Sequence, residues 1–494
     1  MIKASETNQV KRQNRKAPIT KLVMVIFLFL LVGLYAIAIN NLADNRVAIV
    51  AFITPIILLC MLTKFAPRLF LALLILSLPL SARFRFGTIA FHTGGAELAV
   101  APIDFVLIGM LFWWGIESYG KLPKLQLRLT IVEKAFIILV LAHLPSLLIA
   151  PSVELALLEI LRLLKMGILI AVLKHFIKNR NDLNFVIIIL LLSLAVQGAL
   201  AIIQTQFGAV IGLGFLGERD DVWIVSSGEY VASRAGGTMG HANALAHFFE
   251  MTLPLALAIT IVKSTPRLSK LALVAFVLGL AGLYFTLSRG GWIGTAFGLL
   301  VVFLGNRQWR VKQQRRRLII FALLALSGMV VFGIILWPDI MQRLAEFNSV
   351  SWLFRFRTFR VAFEIINDYP WLGVGANNYL QVSVPYSIDI LTAWPNAIVH
   401  NAYLLILAEI GVFGFAAFLW FLWNLWRYAR KIIRIREPFE SSVALGIWAG
   451  ILALLVHSLV GWLFRYDPVF TIFWFNVGLL VALSNLYRNE LQSR

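Results

Sequence analysis

The sequence predicts an all-α polytopic membrane protein with about fourteen transmembrane helices and a large extracytoplasmic loop. First, 60% of the 494 residues are hydrophobic and only 14% are charged, whereas about a quarter of the residues in soluble domains are charged. Second, apolar runs of about twenty residues recur along almost the whole chain, and each can cross the hydrocarbon core as a helix. Third, basic residues cluster between these runs, as is typical of topology signals.

The apolar runs place the individual helices. We expect them at 22–40, 47–63, 68–82, 101–117, 131–149, 155–175, 184–205, 243–262, 270–286, 289–305, 318–337, 401–427, 442–463 and 467–487. Basic loops then fall on one side of the membrane, which we take as cytoplasmic, and both termini share that side. The first run is too long for a cleavable signal, so we expect it to act as a signal anchor.

The helices divide the chain into six segments. Long loops inside a compact bundle are usually functional, which draws attention to the outer loops before the eighth and twelfth helices. The segments are a cytoplasmic tail at 1–21, a bundle of about seven helices at 22–205, an outer loop with the next four helices at 206–337, a large outer loop with short helices at 338–400, the last three helices at 401–487, and a cytoplasmic tail at 488–494.

Charge and cysteine content exclude some classes of protein. The net charge of +20 would suit a nucleic-acid partner, but the basic residues lie in loops between apolar runs, so we predict none. The single cysteine, Cys60, excludes an internal disulfide and argues against a cysteine zinc site. Asp220 and Asp221 could hold a divalent cation, although a solvated loop explains them better.

The first polar segment, from Ser233 to Asn243, leads into the eighth predicted helix. Its glycines permit close approach of a ligand, and the amide groups at a helix start favour an anion. Arg234 can bind a phosphate through its planar fork. The alternative is a glycine-rich turn whose arginine contacts lipid headgroups.

The second polar segment, Thr286 to Gly291, is the short turn between two predicted helices. Arg289 should therefore lie at the outer membrane boundary, which is the depth of a lipid diphosphate. Basic residues are usually concentrated on the cytoplasmic side of a membrane protein. An arginine at the outer boundary therefore favours a functional role over simple snorkelling to the interface.

The third polar region spans the large loop and its exit. Arg355, Arg357 and Arg360 lie on a predicted amphipathic helix, and His400 opens the helix that follows the loop. The positive end of a helix disfavours imidazolium, and a neutral imidazole can act as a general base. We therefore expect activity to rise between about pH 6 and 7. A capping role for His400 is the alternative.

Two further groups lie within predicted helices. Glu159, Arg162 and Lys165 share one helix face, and either an internal Glu159–Arg162 ion pair or a substrate groove would explain them. His457 lies in the penultimate helix, where we expect a buried, hydrogen-bonded side chain.

In order and spacing, these segments resemble the bacterial O-antigen ligase and O-antigen polymerase superfamily. The resemblance covers roughly 230–415. Its motifs are Arg-x-x-Gly-Thr-x-x-His-x-Asn-x-Leu-Ala from Arg234 to Ala246, Ser288-Arg289-Gly290, Arg355 through Pro370 to Gly373-Val374-Gly375, and His400-Asn401 with Leu404, Glu409 and Gly411. Ala242 stands where family members often carry proline.

The resemblance implies a metal-independent, inverting glycosyl transfer on a glycosyltransferase-C-like membrane fold, with no cofactor. Family members work at the outer face of the bacterial cytoplasmic (inner) membrane. The donor is a glycan on undecaprenyl diphosphate, and the acceptor is a lipid A-core sugar for ligases or the growing chain for polymerases. Membrane lipids and other polysaccharide-assembly proteins are the remaining expected partners.

The resemblance also assigns site residues. His400 is the expected base, and Arg289 and Arg234 are the other expected catalytic residues, as diphosphate ligands. Arg355 best matches the next family arginine, although Arg357 and Arg360 leave the register open. The expected substrate-binding residues are Arg355, Arg357, Arg360, His241, Asn243, Ser288, Asn401, Tyr403 and Glu409.

Two other classes of function compete with a glycosyltransferase. A transporter, for example of bicarbonate or a lipid-linked glycan, should carry ionisable residues at the bilayer midplane and broken helices in repeated halves. The polar segments instead lie at the outer ends of helices. A scaffold subunit of a polysaccharide assembly complex would tolerate changes at His400, Arg234 and Arg289. The motifs do not separate a ligase from a polymerase.

Overall fold

The computed structural model describes residues 65–85, 99–118, 129–208, 210–219, 223–227, 230–262, 265–306, 350–387 and 398–487. The predicted helices at 22–40, 47–63 and 318–337 lie outside these residues, as do both predicted tails and the Asp220–Asp221 pair.

The described chain is dominated by helices. In chain order they are α1 (Ala66–Ser77), α2 (Pro102–Ser118), α3 (Ile131–Leu141), α4 (Ser146–Ile149), α5 (Val153–Phe176), α6 (Arg180–Phe207), α7 (Ala242–Ile261), α8 (Pro266–Phe285), α9 (Arg289–Gly305), α10 (Val350–Asp368), α11 (Tyr379–Ser383), α12 (Ala402–Ile433), α13 (Pro438–His457) and α14 (Asp467–Leu486). Four short strands accompany them: β1 (Phe84–Arg85), β2 (Ala99–Val100), β3 (Trp223–Ser227) and β4 (Tyr230–Arg234).

Seven of the described helical segments are long and apolar enough to cross a membrane. They are Ile131–Ile149, which joins α3 and α4, and helices α6, α7, α8, α12, α13 and α14. Two shorter apolar helices, α1 and α9, also coincide with predicted spans. The structure thus confirms the all-α polytopic membrane fold. The total of about fourteen helices stays a prediction, because three predicted helices lie outside the described residues.

The helices form two compact units. In the first, α1 packs against α2, and the rings of Phe70 and Trp113 are 6.4 Å apart. The second contains the remaining helices, with α7 in contact with α6, α8, α9, α13 and α14. Almost every side chain of α7 and α14 is buried, so these two helices form much of the interior of that unit.

The outer loop at 206–242 contains regular structure that hydropathy did not indicate. β3 and β4 form an antiparallel hairpin in which Trp223 pairs with Arg234. The hairpin delivers Arg234 to the start of α7, which begins at Ala242. The alternation of side chains is too short to stand out beside the long apolar runs.

The described part of the large loop at 338–400 contains two helices, α10 and α11. Helix α10 packs on α12, and α11 lies beside both. Their shared core includes Val361, Ile365, Tyr379 and Leu405. This core attaches the loop firmly to the membrane helix that follows it.

Helix α12 is broken at Gly411, whose φ and ψ of 62° and −172° are not helical. The segment Pro370–Gly375 fills the break. The amide of Gly375 donates to the Glu409 carbonyl at 2.9 Å, and the amide of Val412 donates to the Pro370 carbonyl at 2.8 Å. A Cβ on Gly411 would overlap the Trp371 carbonyl. The Pro-x-x-Gly-x-Gly motif therefore fixes the end of α10 against α12.

Candidate active site

The polar segments predicted from sequence converge at one end of the second unit. Helices α7, α9 and α12 begin there, and α13 ends there. The amide of Ala402 donates to the Ser458 carbonyl at 2.9 Å, which joins the start of α12 to the end of α13. Gly290 lies against the His457 ring, where a Cβ would overlap the imidazole. Residues far apart in the chain thus share one site.

Arg234 joins the first two segments. Its Nε donates to the Thr286 carbonyl at 2.8 Å, and its Nη2 donates to Asn243 Oδ1 at 2.7 Å. The side chain is half-buried. Arg234 therefore holds the turn before α9 against the start of α7.

Arg289 is the first residue of α9, as the sequence predicted. Ser288 caps this helix by accepting a hydrogen bond from the Gly291 amide at 3.4 Å. The guanidinium thus stands beside the positive end of a helix, where amide groups also attract an anion. This is a suitable place for a phosphate group.

Of the three arginines on α10, the structure brings Arg355 to the site. Burial lowers the pKa of the Arg355 guanidinium, and the nearby charge of Arg289 lowers it further. Arg357 and Arg360 are exposed, and Arg360 lies 3.8 Å from Glu364 on its own helix. This geometry favours Arg355 as the match to the family arginine, and its contact with substrate stays a prediction.

His400 lies two residues before the first residue of α12 and is half-buried. Its Nδ1 lies 3.0 Å from the Ile398 carbonyl. A carbonyl can only accept, so Nδ1 carries the proton and Nε2 keeps its lone pair. Burial and the positive charge of Arg355 lower the pKa of His400 to about 4, against a smaller upward effect of the Ile398 hydrogen bond.

These surroundings change the expected pH dependence. The sequence predicted a titration between about pH 6 and 7, which is the range of an unperturbed histidine. With a pKa of about 4, the imidazole of the free protein is already neutral at those pH values. The earlier expectation is corrected because the sequence could not show that a cation and a buried surface adjoin His400.

Residues 274–419 match the family model described as O-antigen ligase. This part of the chain is similar to the O-antigen ligase family. The match confirms the resemblance inferred from the motifs and implies a membrane glycosyltransferase-like enzyme that uses lipid-linked glycan and polysaccharide substrates. It includes Arg289, Arg355 and His400 but not Arg234. A search of curated proteins gives no match.

Several residues expected to bind substrate in the O-antigen ligase family site serve as helix caps. Asn401 caps α12 by accepting hydrogen bonds from the amides of Tyr403 and Leu404 at 2.9 and 3.0 Å. His241 caps α7, since its Nδ1 accepts from the Asn243 amide at 3.0 Å. Together with Ser288, these caps fix the helix starts; a direct role in binding stays a prediction.

Tyr403 and Glu409 also make structural contacts. The Tyr403 hydroxyl donates to the Leu455 carbonyl at 2.7 Å. Glu409 is buried and forms an ion pair with Arg465. The structure therefore assigns the Glu409 carboxylate to a contact within the protein, and Arg465 lies beyond the matched segment of the ligase family.

Arg465 belongs to a buried ionic network that links α5, α12 and α14. Its Nη1 lies 2.9 Å from Glu159, which also pairs with Arg162 at 3.1 Å. Arg162 Nε lies 2.7 Å from Asp467 at the start of α14. Of the two alternatives that the sequence left open for Glu159 and Arg162, the structure shows the internal ion pair. Paired charges of this kind anchor helices where unpaired ones would be costly.

The sequence-based reading missed the connector between α13 and α14. We expected a helix through 442–463, but α13 ends at His457. The apolar composition continues past that point, so hydropathy does not reveal the helix end. The connector carries Trp462, Arg465 and Tyr466, and the density of aromatic residues in Trp462–Asp467 was the available signal.

A second buried cluster lies beneath Arg289 and Gly290. Glu250 Oε1 is 2.7 Å from His247 Nδ1, and Glu250 Oε2 is 2.8 Å from His457 Nδ1. The expectation that His457 is buried and hydrogen-bonded is confirmed. One ligand atom from each of the three residues lies within 4.8 Å of the others, so the set could hold a metal ion. The metal independence that the resemblance implies stays a prediction.

Proposed function

We propose that this protein transfers or polymerises a glycan from an undecaprenyl-diphosphate carrier onto an acceptor sugar hydroxyl at the outer face of the bacterial cytoplasmic membrane. The observation that carries the proposal is the meeting of Arg289, Arg355 and His400, which belong to three separate segments of the chain. The site therefore combines a diphosphate ligand set with a base. The family match supports the same class of enzyme.

The reaction requires stabilisation of a leaving diphosphate. As the bond between the anomeric carbon and the diphosphate oxygen breaks, the electron pair moves onto that oxygen. Arg289 and Arg355 would neutralise this charge, helped by the amide groups at the start of α9. Arg234 would contribute from the neighbouring turn, where it already fixes Thr286 and Asn243.

The acceptor hydroxyl requires a base. Its oxygen attacks the anomeric carbon from the face opposite the diphosphate, and its proton passes to His400 Nε2. A single displacement of this kind inverts the anomeric configuration. The hydrogen bond from Nδ1 to the Ile398 carbonyl holds the ring in the tautomer that this transfer needs.

Donor binding would also strengthen the base. In the free protein the charge of Arg355 helps to keep the pKa of His400 low. A bound diphosphate places negative charge on Arg355, and this opposes that effect. His400 would then accept a proton more readily when the donor is in place. Binding and chemistry are thereby linked through one arginine.

The transporter alternative has weaker support. The ionisable groups of α5 that suggested a substrate path, Glu159 and Arg162, are engaged in ion pairs with each other and with Arg465 and Asp467. The family match also favours transfer of a glycan over transport.

The experiment that tests the proposal is glycan transfer by purified protein. A synthetic undecaprenyl-diphosphate oligosaccharide is supplied with and without a lipid A-core acceptor. Longer lipid-linked chains from the donor alone indicate a polymerase, and product that requires the core acceptor indicates a ligase. We expect His400→Ala to abolish product. His175→Ala, a change in the last turn of α5, should leave product formation intact. Folded wild-type protein that glycosylates neither acceptor would contradict the proposal.

A further inference from the structure

The connector between α13 and α14 places two aromatic rings between two histidines of the site. The ring centroids of His241 and Tyr466 are 5.5 Å apart, and those of Tyr466 and Trp462 are 5.9 Å apart. Trp462 in turn lies 6.5 Å from His400, with its ring nearly perpendicular to the imidazole. A continuous row of four rings thus runs from the start of α7 to the start of α12.

The connector is held in place at both ends. Asn401 Nδ2 donates to the Leu459 carbonyl at 3.1 Å, and the Ala402 amide donates to the Ser458 carbonyl at 2.9 Å. At its other end, Arg465 is buried among Glu159 and Glu409. The aromatic rings are therefore positioned before any substrate arrives, which lowers the entropic cost of binding.

Both rings of the connector are partly accessible. Arg465 is 5% exposed, whereas Trp462 and Tyr466 keep part of their surface accessible. The accessible part of each ring offers surface that a ligand could contact. Indole and phenol also combine an apolar face with a polar tip, a pairing suited to a ligand that is apolar on one face and hydroxylated at its edge.

We propose that Trp462 and Tyr466 form a platform that binds a pyranose ring beside His400. The C–H face of a sugar would stack on the indole or phenol ring, while its hydroxyl groups remain at the edge, within reach of the histidines. The proposal rests on the proposed function and extends it to residues beyond the matched family segment at 274–419. The sugar could belong to the donor glycan or to the acceptor, and the test separates these sources.

The platform variants are Trp462→Ala and Tyr466→Ala, with Trp462→Phe and Tyr466→Phe as conservative replacements. Trp423→Ala is the matched control, because Trp423 is exposed on α12 and lies outside this row of rings. Thermal melting in detergent establishes that each variant is folded. Transfer rates are then measured over a range of donor and of acceptor concentrations.

We expect each alanine variant to raise one KM by about tenfold, with kcat much less affected, and the phenylalanine variants to retain most of the affinity. A change in the KM for donor assigns the platform to the donor glycan, and a change in the KM for acceptor assigns it to the acceptor. Binding of undecaprenyl diphosphate without a glycan should be unchanged. Wild-type KM values for both substrates in folded alanine variants would overturn the platform.

A binding measurement separates this proposal from the proposed function. The free oligosaccharide of the donor and a free core oligosaccharide are titrated into the wild type and Trp462→Ala. If the wild type transfers no glycan but binds either sugar in a Trp462-dependent way, the platform stands and the proposed reaction fails. If transfer occurs, but neither the binding of the free sugars nor either KM depends on Trp462 or Tyr466, the platform is wrong and the proposed function stands. Absence of both transfer and sugar binding overturns both.

Discussion

Arg355 on α10 and His400 before α12 lie close enough that the guanidinium charge helps burial to lower the pKa of the imidazole to about 4. Helix α10 shares a buried core with Ile398 and Val399, the two residues just before His400. A diphosphate ligand and a base are therefore coupled electrostatically, and several measurable consequences follow from that contact.

The first prediction concerns pH. A histidine whose pKa is depressed remains neutral until the pH falls to that value, so kcat/KM should be flat between about pH 6 and 8 and should fall as the pH approaches 4. Arg355→Met removes the positive charge that lowers the pKa of His400. The fall of kcat/KM at acid pH should therefore move to higher pH. The pH–rate profile measures both effects. Arg357→Met is the control, and an acid limb unmoved by Arg355→Met would contradict the coupling.

The second prediction separates the arginines on α10. Arg355→Ala should lower kcat/KM by about 100-fold or more, because a donor aimed at the developing charge is lost. Arg357→Ala, on an exposed face of the same helix, should stay within about twofold of wild type. Steady-state transfer kinetics make the comparison. Equal losses in the two variants would show that Arg355 has no special role.

The third prediction concerns the buried network. Arg465→Met leaves the carboxylates of Glu159 and Glu409 short of a cation, and breaking such a buried pair costs about 3–5 kcal/mol. We expect a clear drop in the melting temperature. Arg360→Met removes an exposed contact with Glu364, whose value is about 0–1 kcal/mol, and should melt like the wild type. Similar melting of both variants would argue against an anchoring role.

The fourth prediction concerns the break in α12. Gly411→Ala forces a side chain into a left-handed conformation and against the Trp371 carbonyl, at a cost of about 1–3 kcal/mol. Melting temperature and activity should both fall, because the break positions α10. Gly115→Ala, where a Cβ would meet nothing within 4 Å, serves as the control. Normal stability in Gly411→Ala would show that the backbone can rearrange.

The fifth prediction concerns metal. We expect transfer to continue in EDTA, and elemental analysis of the purified protein to find no stoichiometric transition metal. The cluster of His247, Glu250 and His457 makes this a real test, since its atoms are spaced closely enough for an ion. A stoichiometric metal that disappears in Glu250→Gln would contradict the prediction.

The sequence by itself determined the membrane class, the positions of most helices and the candidate residues His400, Arg289 and Arg234. It could do so because hydropathy is a local property of each run and because the motifs are short. The shared helix face of Glu159 and Arg162 made their internal pairing one of two alternatives, and the structure shows that pair.

Only the tertiary structure decided which residues meet. It placed Arg355 near Arg289 and His400 and left Arg357 and Arg360 exposed. It also ended α13 at His457 and paired Arg465 with Glu159 and Glu409. It also showed that Trp462 lies beside His400. These relationships join distant parts of the chain through packing, charge and helix breaks. No local pattern of hydropathy records them, because each depends on how two helices dock.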